Sequence, residues 1–117
     1  MDSFWYAITV RSRHEFKVLD RLNKAKVEAF LPIVERLSQW KDRKKAVNFP
    51  LFPGYLFVHI HNNREDKLTV LKTTGVVRFL GMTHSRPEPI PEEQIISLKR
   101  LVESKEPLDA YPYLKEG

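Results

Sequence analysis

The chain has 117 residues, room for one domain with a modest core. Hydrophobic residues make up 42% and charged residues 30%, a soluble globular balance, and Pro, Gly or charge interrupts every apolar run too early for a membrane-spanning helix. The net charge is +5, and the absence of cysteine excludes disulfides, a redox pair and a thiolate zinc site.

The N-terminus, Met1-Asp2-Ser3-Phe4-Trp5, has neither the basic nor the apolar region of a signal peptide, so the expected compartment is the cytoplasm, with no membrane partner. Residues 4–10, rich in aromatic and β-branched types, predict a strand. Ser12-Arg13-His14-Glu15 fits a capping box that opens a helix to about Lys26, with Val18, Leu19, Leu22 and Ala25 as its buried stripe. Ala29–Val34 reads as an edge or bulged strand around Pro32, and the basic stretch Arg36 to Lys45 as a hairpin arm or loop. Residues 51–61 form the predicted central strand. A short helix from about Arg64 to Lys72 is expected to bury Leu68 and Leu71, and Gly75 ends it. Val76–Leu80 is another strand, Gly81 to Pro91 a loop or short hairpin. Pro91-Glu92-Glu93 starts a last helix that packs Ile95, Leu98, Leu101 and Val102 and ends near Ser104. The order β-α-β-β-α-β-α predicts an α+β fold, an antiparallel four-stranded sheet with helices packed around it. Residues 105–117 show no period and read as a linker.

The central strand is the most informative segment. Leu56, Val58 and Ile60 share one aliphatic face, which is the core face, while Tyr55, Phe57, His59 and His61 share the other. In the first strand Trp5, Ala7 and Thr9 oppose Tyr6, Ile8 and Val10. The second face has two readings: a terminal helix covers it, or it is an apolar docking depression for a protein partner. Basic residues recur at Arg13, Lys17, Arg21 and Lys24, and Arg11 lies just before them. Lys41, Arg43, Lys44 and Lys45 cluster beside Trp40. Residues 1–91 hold 16 Lys/Arg against 9 Asp/Glu, a surplus suited to a polyanion. His59 and His61 lack a third ligand in the sequence, so no metal site and no cofactor are expected, and no nucleophile elbow, P-loop or carboxylate pair points to an enzyme.

Trp5-Tyr6, the word Phe52-Pro53-Gly54-Tyr55-Leu56-Phe57-Val58, the run Thr74-Gly75-Val76-Val77-Arg78-Phe79-Leu80-Gly81, and Pro89-Ile90-Pro91 occur in one order. Together they resemble the N-terminal (NGN) domain of the NusG family of transcription elongation factors, over residues 4 to 104. Gln39-Trp40-Lys41-Asp42-Arg43-Lys44-Lys45 with Pro50-Leu51-Phe52 is similar to the specialised RfaH- and UpxY-like antiterminators of that family. The resemblance implies a non-enzymatic factor domain over residues 1–104, which binds RNA polymerase and bridges its DNA channel to modulate pausing and termination. It implies that Thr9, Phe52, Tyr55 and Phe57 receive the β′ clamp helices. A β gate-loop contact falls on Lys67 and Thr69, the latter the one threonine kept of a threonine-rich run. Arg11, Arg13, Lys17, Arg21, Lys41, Arg43, Lys44, Thr73 and Thr74 correspond to the surface that meets non-template or upstream DNA. The resemblance also implies that 105–117 lead toward a C-terminal KOW domain, to which any contact with Rho or the ribosome belongs. The alternative is a free-standing RRM-like module in which Tyr55 and Phe57 stack on bases.

Overall fold

Alternation of apolar side chains in the first and central strands dictates a sheet with two buried faces, and the structure, a computed structural model, builds it. It describes the backbone of residues 2–40, 43–83 and 86–104, and the side chains within these except at 36–40, 43–46, 82–83 and 104. Strands β1 (Ser3–Val10), β2 (Glu28–Phe30), β5 (Tyr55–His61) and β6 (Val76–Phe79) form one antiparallel sheet in the order β2-β5-β1-β6. Strands β3 (Ile33–Trp40) and β4 (Arg43–Pro50) make a separate hairpin, and β7 (Met82–Thr83) pairs with β8 (Arg86–Pro87). The helices are α1 (Glu15–Lys24), α2 (Arg64–Lys72) and α3 (Glu92–Ser104).

One sheet face carries Tyr6, Ile8, Val10, Leu56, Val58, Ile60 and Phe79. Val18 and Leu22 of α1 and Val70 of α2 close over it to form the main core. Burial raises the ionisation of Tyr6 above the usual phenol range, because the phenolate would lose its hydration there. On the opposite face Trp5 and Phe57 pack beneath Ile95 of α3, flanked by Ala7, Phe30, Ile90 and Leu98. The amide of Ile90 donates to the Trp5 carbonyl at 2.7 Å and leads the chain into α3.

Five expectations need correction. The central strand, expected over 51–61, begins only at Tyr55, because residues 52–55 form a turn closed from the Tyr55 amide to the Phe52 carbonyl. Ser12 is not a cap: Arg13 adopts a left-handed backbone (φ 64°), the turn closes from the His14 amide to the Arg11 carbonyl, and α1 begins two residues later with His14 at its N-cap and no side-chain cap. Ala25 is exposed, because α1 ends at Lys24. The stretch around Pro32 is two strands: buried Pro32 lies between β2, which joins the sheet, and β3, which leaves it. In α2 the buried residue is Val70, while Leu68 and Leu71 are exposed. Asp66, Val70 and Thr73 face inward at helical spacing, which turns both leucines outward. The expected linker, residues 105–117, lies outside the described residues.

Candidate functional site

The word Phe52-Pro53-Gly54-Tyr55 is a turn. The Tyr55 amide donates to the Phe52 carbonyl at 3.1 Å, Pro53 supplies the fixed φ of the second position, and Gly54 sits at φ 84° in the third. That third position demands positive φ, which a side chain disfavours. The turn delivers Tyr55 to the first position of β5, paired with Thr9 across the sheet. Thr9 in turn pairs with Arg78 of β6, so Tyr55, Thr9 and Arg78 form a row across three strands. The Thr9 hydroxyl points to the Arg78 carbonyl at 3.5 Å.

Behind this row lie two more. Phe30, Phe57 and Ala7 are paired across β2, β5 and β1, with the Phe30 and Phe57 rings stacked at 6.1 Å. Glu28, His59 and Trp5 follow: the His59 ring stacks on Trp5 at 4.7 Å, and its Nδ1 lies 2.9 Å from a Glu28 carboxylate oxygen. Lys99 of α3 places its ammonium over both the Trp5 and Phe30 rings, at 5.0 and 5.5 Å. Helix α3 thus covers the rear rows, as the first reading of this face expected, while the front row is open. Tyr55 is 40% exposed, Phe57 only 9%, and Phe52 is half-buried beside them. His59 is occupied by Trp5 and Glu28, and no cluster of metal-ligating side chains occurs among the described residues.

The basic surface is assembled around the end of β1. The Arg11 amide donates to the Gly75 carbonyl at 2.8 Å, and the Arg21 guanidinium to the Thr74 carbonyl at 2.8 Å. Arg11 and Arg21 therefore adjoin the Thr73-Thr74-Gly75 turn, and Arg13 and Lys17 lie between them in the chain. Arg11, Arg13, Lys17 and Thr74 are exposed, but Arg21 is partly buried in its structural bond. The Thr73 hydroxyl donates to the Thr69 carbonyl at 2.9 Å, and Lys24 pairs with Asp20 at 3.0 Å. Arg43 and Lys44 stand on β4 of the hairpin, opposite Trp40 and Gln39, while Lys41 lies outside the described residues. On α2 the Lys67 ammonium meets the Asn62 side-chain oxygen at 2.7 Å, and the Thr69 hydroxyl donates to the Glu65 carbonyl at 3.0 Å. Sequence reasoning missed Arg78. Its signal was the alternation Val76-Val77-Arg78-Phe79, obscured by the register shift of β6 against Thr9 and Val10.

An aromatic end open on one side of a sheet, beside a basic rim, has the makings of a binding surface. Comparison with known proteins supplies the family. The model of the NusG transcription termination factor family matches residues 3–99. The transcription termination/antitermination protein NusG of Bacillus subtilis is 31% identical over 129 residues, covering 99% of this chain and 72% of the relative. That of Chlamydia pneumoniae is 32% identical over 110 residues, covering 86% of this chain and 59% of the relative. A solved structure of Thermotoga maritima NusG superposes with a TM-score of 0.67 at 27% identity, covering 92% of this chain and 61% of the other. The chain belongs to the NusG family. It spans about three-fifths of the length of the Chlamydia relative.

Proposed function

We propose that this domain binds RNA polymerase at the β′ clamp helices through the open end of its sheet, and modulates pausing and termination without catalysis, in the cytoplasm. The observation that carries the proposal is Tyr55, a large aromatic left 40% exposed by the turn that presents it, in a NusG-family domain. Thr9 and the half-buried Phe52 border it, and Phe57 follows two residues further along the same face of β5. The basic surface of Arg11, Arg13 and Lys17 with Thr74 then faces non-template or upstream DNA, a contact to which Arg43 and Lys44 of the hairpin also belong. A second contact, from Lys67 and Thr69 of α2 to the β gate loop, bridges the channel.

The RRM-like alternative requires two exposed rings on the central strand. Burial of Phe57 under α3 leaves Tyr55 alone, so the platform is incomplete. Binding to core RNA polymerase and to a polymerase lacking the β′ clamp helices tests the proposal. Affinity should vanish with the helices, and undiminished affinity would refute docking at that site.

A further inference from the structure

Glu15 is the sole buried charged residue among the described residues, at 5% exposure, and its carboxylate is the acceptor for the Gly54 amide at 2.8 Å. In a turn of this type the amide of the third residue is left without an intraturn partner. Here it finds a carboxylate held at the first position of α1, where the helix end favours negative charge. The carbonyl of the same Gly54 accepts from the Val10 amide at 2.9 Å. Gly54 is thus held on both sides, by α1 and by the end of β1, and the next residue is Tyr55. We propose that Glu15 is a positioning residue for polymerase docking: through the Gly54 amide it sets the direction in which the turn presents the Tyr55 ring. This rests on the docking role of Tyr55.

A charge-assisted bond to a desolvated carboxylate is strong and directional, so its removal frees the Pro53–Gly54 peptide plane, directly ahead of the Gly54–Tyr55 peptide that leads to the ring. Glu15→Asp keeps the charge at the helix end but shortens the reach. Glu15→Gln keeps the reach and an acceptor oxygen but removes the charge. The test is a double-mutant cycle on polymerase affinity, with Gly54 amide hydrogen exchange followed by NMR. Glu15→Ala should weaken binding about fivefold and accelerate Gly54 exchange, and Glu15→Gln should recover most of both. The double variant Glu15→Ala/Tyr55→Ala should bind no more weakly than Tyr55→Ala alone. If Glu15→Ala does not fold, Glu15→Asp takes its place in the cycle. Effects that multiply in the double variant, or parental affinity in Glu15→Ala, would overturn the proposal. Should Tyr55→Ala bind like the parent, the docking reading falls instead. Gly54 exchange then judges positioning alone, with faster exchange upholding it and unchanged exchange ending it.

Discussion

Tyr55 and Phe57 leave β5 on the same side, two residues apart, yet Phe57 is packed beneath Ile95 of α3 while Tyr55 stands clear of it. The same residue class on the same face therefore has two environments, and substitution separates them. Phe57→Ala should cost about 3–5 kcal/mol of stability, a large share of what a domain of this size has. Tyr55→Ala should change stability by less than about 0.5 kcal/mol and weaken polymerase binding by about 1–3 kcal/mol. Urea unfolding and a binding titration on the same two proteins check both halves.

Helix α2 offers a similar contrast. Val70→Ala should cost about 2 kcal/mol, because two buried methyl groups are removed from the main core. Leu68→Gln and Leu71→Gln should each stay within about 0.5 kcal/mol, being on the outer face. Thermal melts that showed the opposite ranking would put the leucines in the core.

Gly75 adopts φ 100°, and a Cβ there would lie 2.6 Å from the Val18 side chain. Strain and collision act together, so Gly75→Ala should destabilise by about 2–4 kcal/mol. The turn that holds Thr73 and Thr74 should loosen with it, visible as faster exchange of the Arg11 amide.

Charge reversal at Arg13 and Lys17 should act on nucleic acid. Both side chains are exposed, and each phosphate left without its cation should lower the slope of log affinity against log salt by about 1. Binding to polymerase without nucleic acid should be unchanged. Arg21→Ala should behave differently and destabilise by about 1 kcal/mol, since its guanidinium is spent on the Thr74 carbonyl.

Tyr6 gives the fold an alkaline limit. Its ionisation is raised in the folded state by burial, so the unfolded chain releases this proton first as pH climbs past the ordinary tyrosine value of 10.0. Stability from this group is complete below that pH and is lost above it. Tyr6→Phe should flatten the decline between about pH 9 and 11, measured as urea midpoints across that range.

The amino-acid sequence by itself determined the fold class and the strand faces. Period-two alternation in β1 and β5 needs no partner to be read, but it also drew the expected strand over 51–61 through Pro53-Gly54, where backbone sterics favour a turn. Neighbour effects were beyond its reach. Glu15 looked like a helix cap because the rule for a cap is local, whereas its partner Gly54 lies 39 residues away. Arg21 looked like one more surface cation until the turn before β6 came to meet it. Leu68 and Leu71 fitted the stripe of a short helix as well as Val70 did, and only the angle at which α2 lies on the sheet chose between them. The pair Tyr55 and Phe57 shows the division most plainly. Alternation put both rings on one face, but where α3 begins and how far it reaches decided which ring is core and which stays open, because burial depends on elements brought together from distant parts of the chain.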